Sequence, residues 1–107
     1  MLSRDIHYGK PTVANAISHL ELFLKSSKRE KIVEVITGYG STGGSSKIKN
    51  AALVRLDEMK NEGFIKDYIC GNELDIFNPK YQKFKYRALL TDDIIKQRNP
   101  GAIYIVL

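Results

Sequence analysis

A helical stripe runs straight into a β-branched strand pattern, and this succession constrains the chain more than any other feature. Val13, Ala16, Ile17, Leu20 and Leu24 recur at i, i+3, i+4, i+7 and i+11, one face of an amphipathic helix with Thr12 placed as its N-cap. A helix is expected over 12–26. Residues 31–37, KIVEVIT, then change period and read as a strand between a basic loop and Gly38. Upstream, SRDIH at 3–7 reads as a short first strand. Downstream, Ser45 or Ser46 can cap a second helix over about 46–62, whose stripe is Ile48, Ala52, Leu56 and Met59 and whose stop is Gly63.

FIKDYIC, 64–70, alternates as a third strand, and the closing AIYIVL, introduced by Pro100 and Gly101, reads as a strand buried on both faces. Residues 71–100 are weakly patterned, apart from Thr91-Asp92-Asp93, which starts a short helix over about 91–98. The order β-α-β-α-β-(insert)-β predicts one α/β domain over 1–107. It is a compact sandwich with helices packed on a small mixed four-stranded sheet and an insert at about 71–100. At 107 residues there is room for one core and not two. No apolar run approaches the length of a membrane span. MLSRDIHYGK lacks the apolar core of a signal peptide, and the single Cys70 has no internal disulfide partner, so the expected compartment is the reducing cytoplasm. A monomer is expected, with no membrane partner.

If the first two strands are parallel and joined by the first helix, their C-terminal ends share one edge, where open α/β sheets place ligands. His7 ends one strand and the glycine-rich VITGYGSTGGSSKIKN ends the other. Gly38, Gly40 and Gly43 spell G-x-G-x-x-G. A dinucleotide site would need an acid at the end of the next strand, but Asp57 and Glu58 stand at that distance inside a predicted helix. A P-loop fails because Gly44 replaces the phosphate-binding lysine. The remaining readings are a general phosphate cradle of backbone N–H groups at a helix N-terminus, with Lys47 and Lys49 adding positive charge, and a plain solvated connection. Tyr39 lies within this loop as a candidate base platform, as Tyr8 does in the first.

Asp5 and His7 share one face of a strand at i, i+2, with Ile6 on the other. A carboxylate beside an imidazole fixes its tautomer and stabilises its charged form, which equips the pair to move a proton. The same spacing also arises by chance, with Asp5 paired to a neighbouring cation. One histidine falls short of a metal site, and no metal-ligand set is identified; His19 is expected to be exposed.

Seventeen Lys plus Arg against twelve Asp plus Glu leave a net charge of +5. The positive charge is clustered. Lys25, Lys28, Arg29 and Lys31 bracket one loop with only Glu30 against them, and residues 79–91 contain Lys80, Lys83, Lys85 and Arg87 with no acid. KYQKFKYR, 80–87, interleaves three aromatics with four cations, which suits stacking on unpaired bases and contacting phosphates. The same pattern suits a core segment, with Tyr81 and Phe84 inward and the lysines outward.

Asp5-Ile6-His7 on a first strand and Thr37-Gly38-Tyr39-Gly40 after a second, separated by an amphipathic helix, resemble the Smr (small MutS-related) domain. Its motifs are D-[LIV]-H and T-G-x-G. The resemblance covers about 4–70 and the closing GAIYIVL. Arg4 stands where the family has a leucine, Tyr8 separates His7 from Gly9, and residues 71–100 exceed the family's length. The resemblance implies a compact α/β sandwich that binds RNA or DNA and, in several members, nicks or cleaves it. It assigns catalysis to Asp5 and His7 and substrate contact to Thr37, Gly38 and Gly40. Tyr39, Gly43, Lys47, Lys49, Lys83 and Lys85 join these as phosphate- or nucleic-acid-binding candidates. A divalent cation such as magnesium is the cofactor this expectation leaves room for. The alternative is a noncatalytic nucleic-acid-binding module, in one form ribosome-associated.

Overall fold

The computed structural model describes residues 1–38 and 43–107, with the backbone alone for 43–46. Four strands, β1 (Ser3–Asp5), β2 (Ile32–Ile36), β3 (Asp67–Cys70) and β4 (Ala102–Val106), form one mixed sheet in the order β1-β2-β4-β3. β1 and β2 are parallel, while β4 runs antiparallel to both β2 and β3. The C-terminal ends of β1, β2 and β3 therefore gather at one end of the sheet, beside the start of β4.

Helix α1 (Val13–Ser26) begins where the sequence places it, because the Thr12 hydroxyl accepts the Asn15 N–H at 3.1 Å. Helix α2 (Gly43–Asn61) starts earlier than expected, so Ser45 and Ser46 fall in its first turn instead of capping it. Its far end matches the expectation: Gly63 takes φ +78°, its N–H bonds Lys60 O, and Phe64 N–H bonds Met59 O. That pair of bonds satisfies carbonyls the helix would otherwise leave open.

The two helices cover one face of the sheet. Leu20, Leu24, Leu56 and Met59 meet Val33, Val35, Ile103 and Ile105 there. On the other face Ile32, Ile69, Ala102, Tyr104 and Val106 meet Leu74, Phe84 and Leu90. Residues 71–100, weakly patterned in sequence, are thus the second cover of the sheet. They contain two short helices, α3 (Pro79–Lys83) and α4 (Asp92–Gln97), and two 3-10 turns, Gly71–Glu73 and Arg87–Leu89. This cover explains why every residue of β4 is buried. No helix of the described residues is long and apolar enough to cross a membrane.

Candidate phosphate and proton-transfer site

Strand pairing places Ser3 beside Glu34 and Asp5 beside Ile36, and Ile6 N–H still reaches Ile36 O at 2.9 Å. The extended run then stops, two residues before the sequence pattern suggests. The cause is Asp5: its Oδ1 accepts His7 N–H at 2.9 Å and Tyr8 N–H at 3.0 Å, bending the chain as Asx turns do. Gly9 and Lys10 complete the reversal with positive φ. His7 accordingly sits in the turn after β1, and Ile6 is buried among the helices as expected.

The same Asp5 Oδ1 lies 2.8 Å from His7 Nδ1. Because a carboxylate only accepts, Nδ1 carries the proton, and in the neutral ring the lone pair is on Nε2. Nε2 has no partner among the described residues. Both side chains are open to solvent, at 36% for His7 and 40% for Asp5. Such an imidazole can take a proton at Nε2 while the carboxylate steadies the charge it gains.

Thr37 and Gly38 follow β2 at the same end. Thr37 has internal partners. It is fully buried, its N–H donates to Gly101 O at 2.7 Å, and its hydroxyl lies near the carbonyls of Gly38 and Gly101. It therefore ties β2 to the approach to β4, and backbone donors for an anion can begin only at Gly38, which has φ +81°. Tyr39 and Gly40 lie outside the described residues, and Gly43 is the first residue of α2. Lys49 also has an internal partner: its ammonium donates to Pro100 O at 2.8 Å. Lys47 is exposed.

Lys83 and Lys85 are not brought to this end. Lys83 lines a cleft of about 420 Å³ at the β3 edge with Lys60, Lys80, Asp57, Asp67 and Tyr68. Carboxylates largely neutralise that cleft, with Lys60 on Asp67 and Lys80 on Glu73, each at 3.1 Å. Burial pushes the Tyr68 phenol above its usual range, and its bond to Asp57 adds to the shift. Lys85 belongs to a groove at the far end of the strands. The aromatics of KYQKFKYR follow the core reading: Phe84 is buried and stacks edge-to-face on half-buried Tyr86, with ring centres 5.7 Å apart. Tyr8, by contrast, is 84% exposed beside His7.

Three features here are not evident from sequence motifs. Arg4, on the helix-facing side of β1, lies over the Phe23 ring at 5.6 Å, which accounts for a cation in a place suited to leucine. Glu34 accepts from Ser3 Oγ at 2.8 Å and from Tyr104 Oη at 2.9 Å, anchoring β1 to the sheet. Gly71 packs against Asn99 and Gly101 against Gly38, so the segment 99–101 links the two contacts. Glutamate inside an apolar strand and glycine at two strand ends are the signals available for the last two. Among the described residues, no group of three or more His, Cys, Asp or Glu could hold a metal ion. Compared with protein-family models, curated proteins and solved structures, the chain has no significant match.

Proposed function

We propose that this chain binds nucleic acid and cleaves its phosphodiester backbone at the edge shared by β1 and β2. The observation that supports this reading is the Asp5 contact to His7 Nδ1, on a solvent-open imidazole at the same sheet end as the left-handed Gly38. His7 Nε2 takes the proton of the attacking hydroxyl, whether water or a ribose 2′-OH, and can return it to the leaving oxygen. Asp5 holds the imidazolium. The Gly38 N–H and the N-terminus of α2 stabilise the negative charge that builds on the phosphoryl oxygens. Tyr8 stacks on a base next to the scissile bond, and exposed Lys47 meets a flanking phosphate.

The test is cleavage of labelled single- and double-stranded RNA and DNA by wild type and His7→Ala, with magnesium or with chelator. A loss on the order of 10²- to 10⁴-fold is expected for His7→Ala, the usual worth of a positioned acid-base group. Equal cleavage by both proteins removes His7 from the mechanism. Salt-sensitive binding without turnover under any condition leaves a noncatalytic binding module, the alternative reading of the same surface.

A further inference from the structure

The basic loop at 25–31 is not part of the edge site, and the fold brings one of its lysines to two others. Lys31 immediately precedes β2 and Lys66 immediately precedes β3, the two strands that flank β4. The end of β4 pins both backbones: Lys66 N–H donates to Val106 O at 2.8 Å, and Leu107 N–H donates to Lys31 O at 3.0 Å. Two strand spacings put the two residues roughly 10 Å apart. Lys85 and Tyr86 complete a groove of about 310 Å³ whose floor includes Leu89 and Val106.

No acidic side chain lines this groove, and none of its three lysines forms an ion pair among the described residues. The cleft containing Lys83 is the contrast, since carboxylates line it and two of its three lysines are paired. Lys28 does not line the groove; its ammonium lies over the Phe64 ring at 3.6 Å. Three cations around one hollow, with the α-carboxylate of Leu107 as the one negative group beside them among the described residues, leave it net positive and favour an anionic occupant.

We propose that this groove is a second nucleic-acid contact, taking the phosphates of a single strand on Lys31, Lys66 and Lys85 with a base against Tyr86. The choice of nucleic acid rests on the function proposed above. Two local features support it over an anionic membrane. The surface is concave with a half-buried aromatic at its wall, and none of the exposed large apolar residues Tyr8, Leu22, Ile76 and Phe77 lines it. The groove lies at the end of the sheet opposite His7, so a strand held there is separate from the one being cut, or is a distant part of it.

The probe is an oligothymidylate of about twelve nucleotides, within the size range of single-strand sites. It is titrated into isotope-labelled protein while backbone amide shifts are followed. Shifts at Lys31, Lys66, Lys85 and Tyr86 are expected. In the triple variant Lys31→Gln, Lys66→Gln, Lys85→Gln, the slope of log affinity against log salt should flatten by about 2, from about 0.7 per lost phosphate contact. These side chains are exposed, so the variant should melt like wild type. Groove amides that stay still at saturation, or an unchanged slope, overturn the proposal. Shifts in the groove without any at Ile6, His7 and Gly38 keep it and remove the edge site; the reverse pattern removes the groove alone. Lysine-dependent binding to phosphatidylserine vesicles with no response to the oligonucleotide would also overturn it.

Discussion

Gly101 lies backbone to backbone against Gly38, so near that a Cβ added at 101 would come within 3.0 Å of the Gly38 carbonyl carbon. On the other side of the same segment, a Cβ at Gly71 would fall 2.0 Å from Asn99 O. Residues 99–101 are therefore held between two glycines, with Asn99 Oδ1 accepting Gly101 N–H at 2.9 Å and Lys49 donating to Pro100 O. The position of Gly38, and with it the start of the proposed phosphate cradle, depends on this packing.

Replacing either glycine by alanine should destabilise the fold, to different extents. The contact at Gly71 is with a carbonyl oxygen and is much closer than any real Cβ approaches, so Gly71→Ala should cost about 3 kcal/mol, the upper part of the usual overpacking range. Gly101→Ala, with a contact that a small backbone shift relieves, should cost about 1 kcal/mol. Urea denaturation of the two variants measures this, and a reversed ranking would contradict the packing described here.

The two helices, the parallel β1–β2 pair and the buried last strand were legible because each has a strong period, a cap or a β-branched run. Val13 to Leu24 and Ala102 to Val106 are examples. Of the second cover of the sheet only α4 was legible, from Thr91, whose hydroxyl accepts the Ile94 N–H. Residues 71–100 are built from 3-10 turns and helices of five and six residues, too short to show a 3.6-residue stripe, and their apolar anchors Leu74, Phe84 and Leu90 are widely spaced. In the candidate site, the i, i+2 spacing correctly brought Asp5 to His7, although through a turn instead of a strand. What spacing could not reveal is competition for the donors. Thr37 N–H and the Lys49 ammonium look free in a motif but are taken by Gly101 and Pro100, residues more than fifty positions away.

Asp5 serves both the turn and the imidazole, and two substitutions separate these roles. Asp5→Asn keeps an oxygen for the His7 and Tyr8 N–H groups, so stability should stay within about 0.5 kcal/mol of wild type. It loses the charge that steadies an imidazolium, so turnover should fall on the order of 10²-fold. Asp5→Ala should lose the turn as well, at about 1 kcal/mol for an exposed cluster of bonds. Urea denaturation and single-turnover cleavage read the two effects. Wild-type turnover in Asp5→Asn would leave the carboxylate with only its structural role.

Cys70 predicts an alkaline weakness. Burial, with Glu73 nearby, pushes its thiol up to about 12 from 9.0. A raised value means the folded state keeps a proton that the unfolded chain gives up. The contribution is therefore complete below about pH 9 and is lost as pH rises toward 12, at up to about 1.4 kcal/mol per pH unit. The measurement is the difference between wild type and Cys70→Ala in stability against pH, which isolates the thiol from every other titrating group. The difference should change with pH above 9 and be flat below it. A parallel pair of curves would show that the thiol is not held neutral by the fold.

Phe84 distinguishes core from platform within KYQKFKYR. It is 3% exposed, packs among Ile69, Leu74 and Tyr104 in the second core, and meets Tyr86 edge-on. Phe84→Ala should cost about 3–5 kcal/mol, as for other large-to-small changes in a packed interior. Phe84→Leu, which keeps most of the volume, should cost about 1 kcal/mol and lower Tm by about 4–8 °C for a chain of this size. Because the ring is not presented to solvent, Phe84→Leu should leave oligonucleotide affinity and its salt dependence unchanged. Thermal melting and fluorescence anisotropy on the same samples decide the matter. An unshifted Tm with a tenfold loss of affinity would identify Phe84 as a stacking surface and would mean that residues 80–87 swing away from the sheet when nucleic acid binds.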